Sequence, residues 1–158
     1  MQSTDVSTAP RLLRVQVARV VNAPRPSFIA ALPHKLSVTT KLLGDESTEH
    51  VTPPLSAGPT TGSVAWAREV YVFELTKAEM HDRLLEVTLV ESNGFGMRNI
   101  VGRASVPLST YEADRSQVHE IKVAVEHGMR IVLHIDVWDS GDSHGARRLP
   151  DPKAPYTY

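Results

Sequence analysis

Residues 84–108, LLEVTLVESNGFGMRNIVGRASVPL, constrain this chain more than any other stretch. Leu85, Val87 and Leu89 alternate with Leu84, Glu86, Thr88 and Val90, the two-residue period of a strand with one buried face. A second alternating run follows in Ile100, Gly102, Ala104, Val106 and Leu108. The first run ends in Glu91-Ser92-Asn93, and the nine residues between Val90 and Ile100 are mostly polar and glycine-containing, so a side-chain-rich loop joins two strands. Loops held on a rigid sheet are where binding residues concentrate.

The same period recurs along the chain. Residues 11–21 place Leu13, Val15 and Val17 on one face, and residues 35–42 alternate through Leu36, Val38, Thr40 and Leu42. Pro24, Pro26 and Pro33 make the intervening segment a loop, since each would break a ladder. Residues 44–63 hold three prolines and three glycines and read as mostly loop, with a short strand near residues 49–52. Residues 66–75, WAREVYVFEL, are aromatic and β-branched as strands prefer. Thr76 with Glu79 three residues on predicts one capped helical turn, and residues 109–116 form a linker that holds another. Ile121, Val123 and Val125 alternate, His127-Gly128 is a turn, and residues 130–138 place Ile131, Leu133, Ile135 and Val137 on one face. Residues 1–10 and 140–158 lack any period and are expected to be disordered tails around a single domain at 11–139. About eight short strands with almost no helix predict an all-β, antiparallel, eight-stranded sandwich. Its core should include Val15, Val17, Leu36, Val38, Trp66, Val87, Leu89, Val106, Leu133 and Ile135.

Composition excludes several classes of function. A net charge of -1 offers no electrostatic case for nucleic acid or for strong attraction to anionic lipid. There is no cysteine, hence no disulfide or thiol chemistry, which suits an intracellular, cytoplasmic setting. No apolar run approaches the length of a membrane span, and the first ten residues lack the pattern of a secretory signal. The histidines show no zinc spacing, no G-x-S-x-G elbow occurs, and no glycine motif for phosphate precedes a helix. His134 and Asp136 share a face of the last strand and read as a solvated pair. The expectation is therefore a chain that is not an enzyme and carries no cofactor.

Taken in order, LLRVQVARVVNA, LPHKLSVTTKL, WAREVYVFEL, LLEVTLVESN and NIVGRASVPL resemble the strand sequence of a C2 domain, over residues 12–138. The resemblance implies a C2-like sandwich with functional loops at one end. Calcium-binding members place several aspartates on two of those loops. By register these positions fall here on Glu91, Asn93 and Asn99, and the first loop, NAPRPSFIAALP, has no aspartate. Calcium wants six to eight oxygens, several of them anionic. One carboxylate is too few, so the resemblance implies a calcium-independent domain without a metal site. The lysine-rich face by which some members hold phosphoinositides is not evident, because Lys35 and Lys41 are isolated.

The loops carry another feature. Phe95, Met97 and Arg98 stand on one, and Arg25, Phe28 and Ile29 on the other. Aromatic, Met and Arg residues at adjacent loop tips are typical anchors for a protein partner. The expectation is an adaptor that mediates protein–protein interaction within a larger assembly, cytoskeletal or membrane-associated. The alternative is a constitutive module that binds membrane phospholipid through the same apolar loop tips.

Overall fold

A computed structural model describes residues 8–21, 35–56, 63–92, 97–125, 128–141 and 148–152. The alternating runs become strands in the expected order. These are β1 (Pro10–Val21), β2 (Lys35–Leu42), β3 (His50–Val51), β4 (Leu55–Ser56) and β5 (Val64–Ala65). They continue with β6 (Val70–Thr76), β7 (Leu84–Ser92), β8 (Arg98–Pro107), β9 (His119–Ala124) and β10 (Arg130–Asp139). Among the described residues two short α-helices intervene, α1 (Lys77–Asp82) and α2 (Ser109–Ala113), and a 3-10 turn at Glu46–Thr48.

One sheet runs β5-β1-β10-β9, and β6 also pairs with β1. Because β6 takes residues 10–16 of β1 and β5 takes residues 19–20, these two lie end to end on one edge. The other sheet runs β3-β2-β7-β8, and β3 and β4 likewise share one edge of β2. Among the described residues, ten segments thus fill eight strand places in two antiparallel sheets, the predicted all-β sandwich. The breaks have local causes. Pro53 and Pro54 separate β3 from β4, since proline cannot donate to a ladder. Thr52 bridges the gap, its Oγ1 accepting from the Val38 N–H at 2.8 Å and its own N–H donating to the Val38 carbonyl at 3.0 Å. Trp66 leaves the strand path to enter the core, so regular pairing there resumes only at Val70. The Trp66 indole N–H donates to the Pro53 carbonyl at 2.7 Å.

The core lies between the sheets, and all ten residues expected there are buried. Burying a Val, Leu or Ile side chain contributes about 1.5–3 kcal/mol, which makes this layer the main stabilising term. Thr76 and Glu79 form the predicted capping box on α1. Helix α2 is tied to β1 by a buried ion pair, with Arg11 Nη2 at 3.0 Å from Glu112 Oε1.

Two bulges reset the alternation. Ala18 is an extra residue on β1, so the inward set passes from Leu13, Val15 and Val17 to Val20. Val101 is an extra residue on β8, where Leu89 pairs with Gly102 but Val90 pairs with Ile100. Gly102, Ala104 and Val106 keep the inward register that their period implies. Ile100 does not: the bulge turns it to the outer face, and it is 55% exposed. Pro10 already pairs with Thr76, and Pro152 is buried with its carbonyl accepting from Arg19 Nη1 at 3.1 Å. A carbonyl held by a side-chain donor imposes no strand period, so this contact leaves no mark in the local sequence pattern.

Candidate functional site

Of the residues singled out in sequence, Arg25, Phe28, Ile29, Asn93 and Phe95 lie outside the described residues. Met97, Arg98, Glu91 and Asn99 lie within them, at the end of the sandwich where β7 passes to β8. Glu91 and Asn99 are direct register partners, and Glu91 also stands opposite Leu36, a core residue. Both therefore belong to the inward-pointing row. Arg98 belongs to the opposite face, and Met97 before it is 61% exposed. Among the described residues no cluster of three or more His, Cys, Asp or Glu is placed to hold a metal ion.

Outside β2, β7 and β8 the sheet forms a groove of about 590 Å³. Its floor is made of outward side chains of the central strands, and Thr88 and Val90 are buried there although they face away from the core. They are covered because longer side chains stand on both sides. Arg98, Ile100 and Arg103 of β8 form one wall, and Lys41, Glu49 and Val51 the other. The register fixes the rows. Lys35, Ser92 and Arg98 align across three strands, then Ser37, Val90 and Ile100, then Thr39, Thr88 and Arg103, then Lys41, Glu86 and Ser105.

Charge is distributed unevenly along these rows. Lys41 Nζ lies 2.5 Å from Glu46 Oε1 and 3.7 Å from Glu86 Oε1. The hydrogen bond it donates to Glu46 is the main reason that its ammonium is held above the ordinary lysine value. That end of the groove carries more carboxylate than ammonium, since Lys41 stands among Glu46, Glu86 and Glu49. Toward the other end Arg98 and Arg103 of the groove wall, and Lys35 in register with Arg98 just beyond the lining, are exposed and have no ion-pair partner among the described residues. Apolar surface lies among them, since Ile100 is exposed and Val51 is 45% exposed across the floor.

Sequence reading named Arg98 and Met97 but missed Ile100, Arg103 and the alignment of Lys35 with Arg98. Lys35 looks isolated because its neighbours are set by strand pairing. Ile100 looks inward because a period of two carries no sign of a bulge. The isolated Gly102 is the one available hint, glycine within a strand often marking such an irregularity. The other sheet overturns a second expectation. His134 and Asp136 are on its outer face but are 1% and 0% exposed, not solvated. His134 lies between Gln16 and Glu120, with ring nitrogens 2.8 and 2.9 Å from their oxygens, and Asp136 accepts from Arg14 at 2.9 Å. Buried polar groups that find partners can be kept there.

No protein-family model matches the sequence, and no curated protein matches it. Similarity appears in structure. The first C2 domain of plant extended synaptotagmin 1 superposes with a TM-score of 0.62 at 11% identity, over 84% of this chain and 96% of that one. Human GIVD cytosolic phospholipase A2 gives 0.68 at 14% identity, over 86% of this chain but only 17% of the phospholipase. The calcium-bound pair of C2 domains of extended synaptotagmin 2 gives 0.57 at 14% identity, over 85% of this chain and 44% of that one. Each likeness spans most of the sandwich described above, at identities that speak to the fold alone. The chain has the fold of a C2 domain.

Proposed function

We propose that this domain is a non-catalytic, calcium-independent recognition module that binds a protein partner within a larger intracellular assembly, cytoskeletal or membrane-associated. The observation that carries this reading is the placement of Ile100, 55% exposed, beside Arg98 in the wall of a groove, with Met97, 61% exposed, next to Arg98 along the chain. Exposed apolar side chains next to an arginine are the usual anchors of protein interfaces. The groove offers contact surface and hydrogen-bonding groups, and its charges are fixed side chains. The nearby Glu91 is paired with a neutral Asn99 at the position where calcium-binding C2 domains concentrate carboxylates, which favours independence from calcium.

A phospholipid surface is the rival ligand, favoured by Lys35 and Arg98, which lack ion-pair partners among the described residues. The recessed floor and the carboxylates of Glu49 and Glu86 count against a flat anionic bilayer. The test is a double substitution, Met97→Ser with Ile100→Ser. Its denaturant midpoint should stay near wild type, since exposed substitutions usually fall within ~0.5 kcal/mol of neutral. Proteins retained by the wild type from a cell extract should be lost by the double variant, in calcium and in chelator alike. Retention that requires calcium, or that survives the substitutions, contradicts the reading. So does co-sedimentation of the wild type, but not the variant, with phosphatidylserine vesicles.

A further inference from the structure

We infer that the open end of the groove seats an anionic side chain, carboxylate or phosphate ester, of an extended partner segment that carries an apolar residue two positions away. The inference rests on the protein-recognition reading and specifies what the partner must present. Lys35 and Arg98 lie on the strands that flank β7, in register on either side of Ser92. Strands are spaced by about 4.8 Å, so their Cα atoms stand about 9.6 Å apart, a span that two long cationic side chains close onto one anion. Ser92 supplies a hydroxyl between them, and Thr88 and Thr39 continue a line of hydroxyls along the floor toward Arg103. Two cations around a hydroxyl, with no ion-pair partner among the described residues, make a site that is complementary to an anion.

The neighbouring row sets the spacing. Ile100 follows Arg98 by two residues on the same face of β8, before the Val101 bulge. An extended segment running along β8 presents every second side chain to the groove. An anionic residue over Arg98 therefore brings the residue two positions away over Ile100 and Val90. A residue three positions away points out of the groove. The opposite end, where Lys41 is held between Glu46 and Glu86 with Glu49 nearby, repels further negative charge, so the segment should be acidic at one end only. A uniformly anionic bilayer laid along the groove meets that repulsion at the Lys41 end, whereas a segment acidic at one end only avoids it, which favours a peptide.

The experiment uses immobilised twelve-residue peptides in a Ser/Ala/Thr background. Each carries Glu, phosphoserine or Lys at one position and Leu either two or three positions on. Whole-chain wild type is compared with Arg98→Glu, Lys35→Glu and Ile100→Ser, each first checked for an unchanged thermal midpoint. The wild type should retain the Glu-x-Leu and phosphoserine-x-Leu peptides roughly tenfold better than Lys-x-Leu and than the three-position spacing, about one decade in Kd. Arg98→Glu and Lys35→Glu should abolish the preference for negative charge, and Ile100→Ser the preference for spacing. Binding that ignores sign or spacing overturns this inference while leaving protein recognition standing. Loss of every peptide, with wild type pelleted by phosphatidylserine vesicles and Arg98→Glu not, overturns both.

Discussion

Arg14 and Asp136 are register partners across β1 and β10, and their side chains meet at 2.9 Å on the face of the sheet that points away from the core. Asp136 is fully buried there, and the Arg14 guanidinium lies 5.3 Å from the centre of the Trp138 ring. Removing both charges from water is costly, so such a pair is weak evidence of net stabilisation, but breaking it is worse than never having had it. Asp136→Ala should destabilise the domain by about 3–5 kcal/mol, because Arg14 is left with its principal counter-charge gone. The double change Arg14→Leu with Asp136→Ala should cost clearly less than the sum of the two single changes. Urea titrations of the four proteins measure this. Additivity within ~0.5 kcal/mol would show the two residues to be uncoupled.

Thr40 presents the opposite case. It faces the core opposite Val87, is 0% exposed, and its Oγ1 finds no hydrogen-bond partner among the described residues. A buried hydroxyl without a partner costs about 1–3 kcal/mol. Thr40→Val keeps the β-branched shape that the strand favours and removes the polar atom. The variant should be more stable by about 1 kcal/mol, seen as a thermal midpoint raised by about 2–4 °C. A lowered midpoint would mean that the hydroxyl stabilises the folded state.

The acid limb of stability should depend on two surface turns. Asp45 accepts from the Ser47 hydroxyl at 2.5 Å and from its backbone N–H at 3.1 Å. Asp114 accepts from the Ser116 hydroxyl at 2.6 Å and from the Gln117 amide at 3.0 Å. The hydroxyl bond is the leading cause in each case, and both carboxyls are held below the ordinary aspartate value of 3.8. A depressed folded value means that the contribution is complete above the ordinary value and is lost as pH falls through the folded one. Asp45→Asn and Asp114→Asn should therefore flatten the stability profile below ~pH 4 and leave its shape near neutrality unchanged. Denaturant midpoints across that range check it, and a variant whose acid limb is as steep as wild type contradicts it.

Much of the fold is written in local pattern. The alternation through Val87 and Leu89, or Leu133 and Ile135, specifies both strand and buried face, since one side chain in two must leave water for a sheet to pack. Thr76 and Glu79 specify the start of α1, because a capping box is closed within four residues. Such signals need only neighbours along the chain, and they place the core and the order of strands.

The groove is decided elsewhere. Lys35 and Arg98 become neighbours only because β7 pairs with both β2 and β8, and Ile100 is turned outward by a bulge that its own local pattern does not encode. His134 and Asp136 are buried because Gln16, Glu120 and Arg14 come to meet them from other strands. Period and propensity act between residues a few positions apart, whereas charge pairing, burial on an outer face and the register of a bulge depend on which strands lie side by side. That choice is made by the packed sheets together.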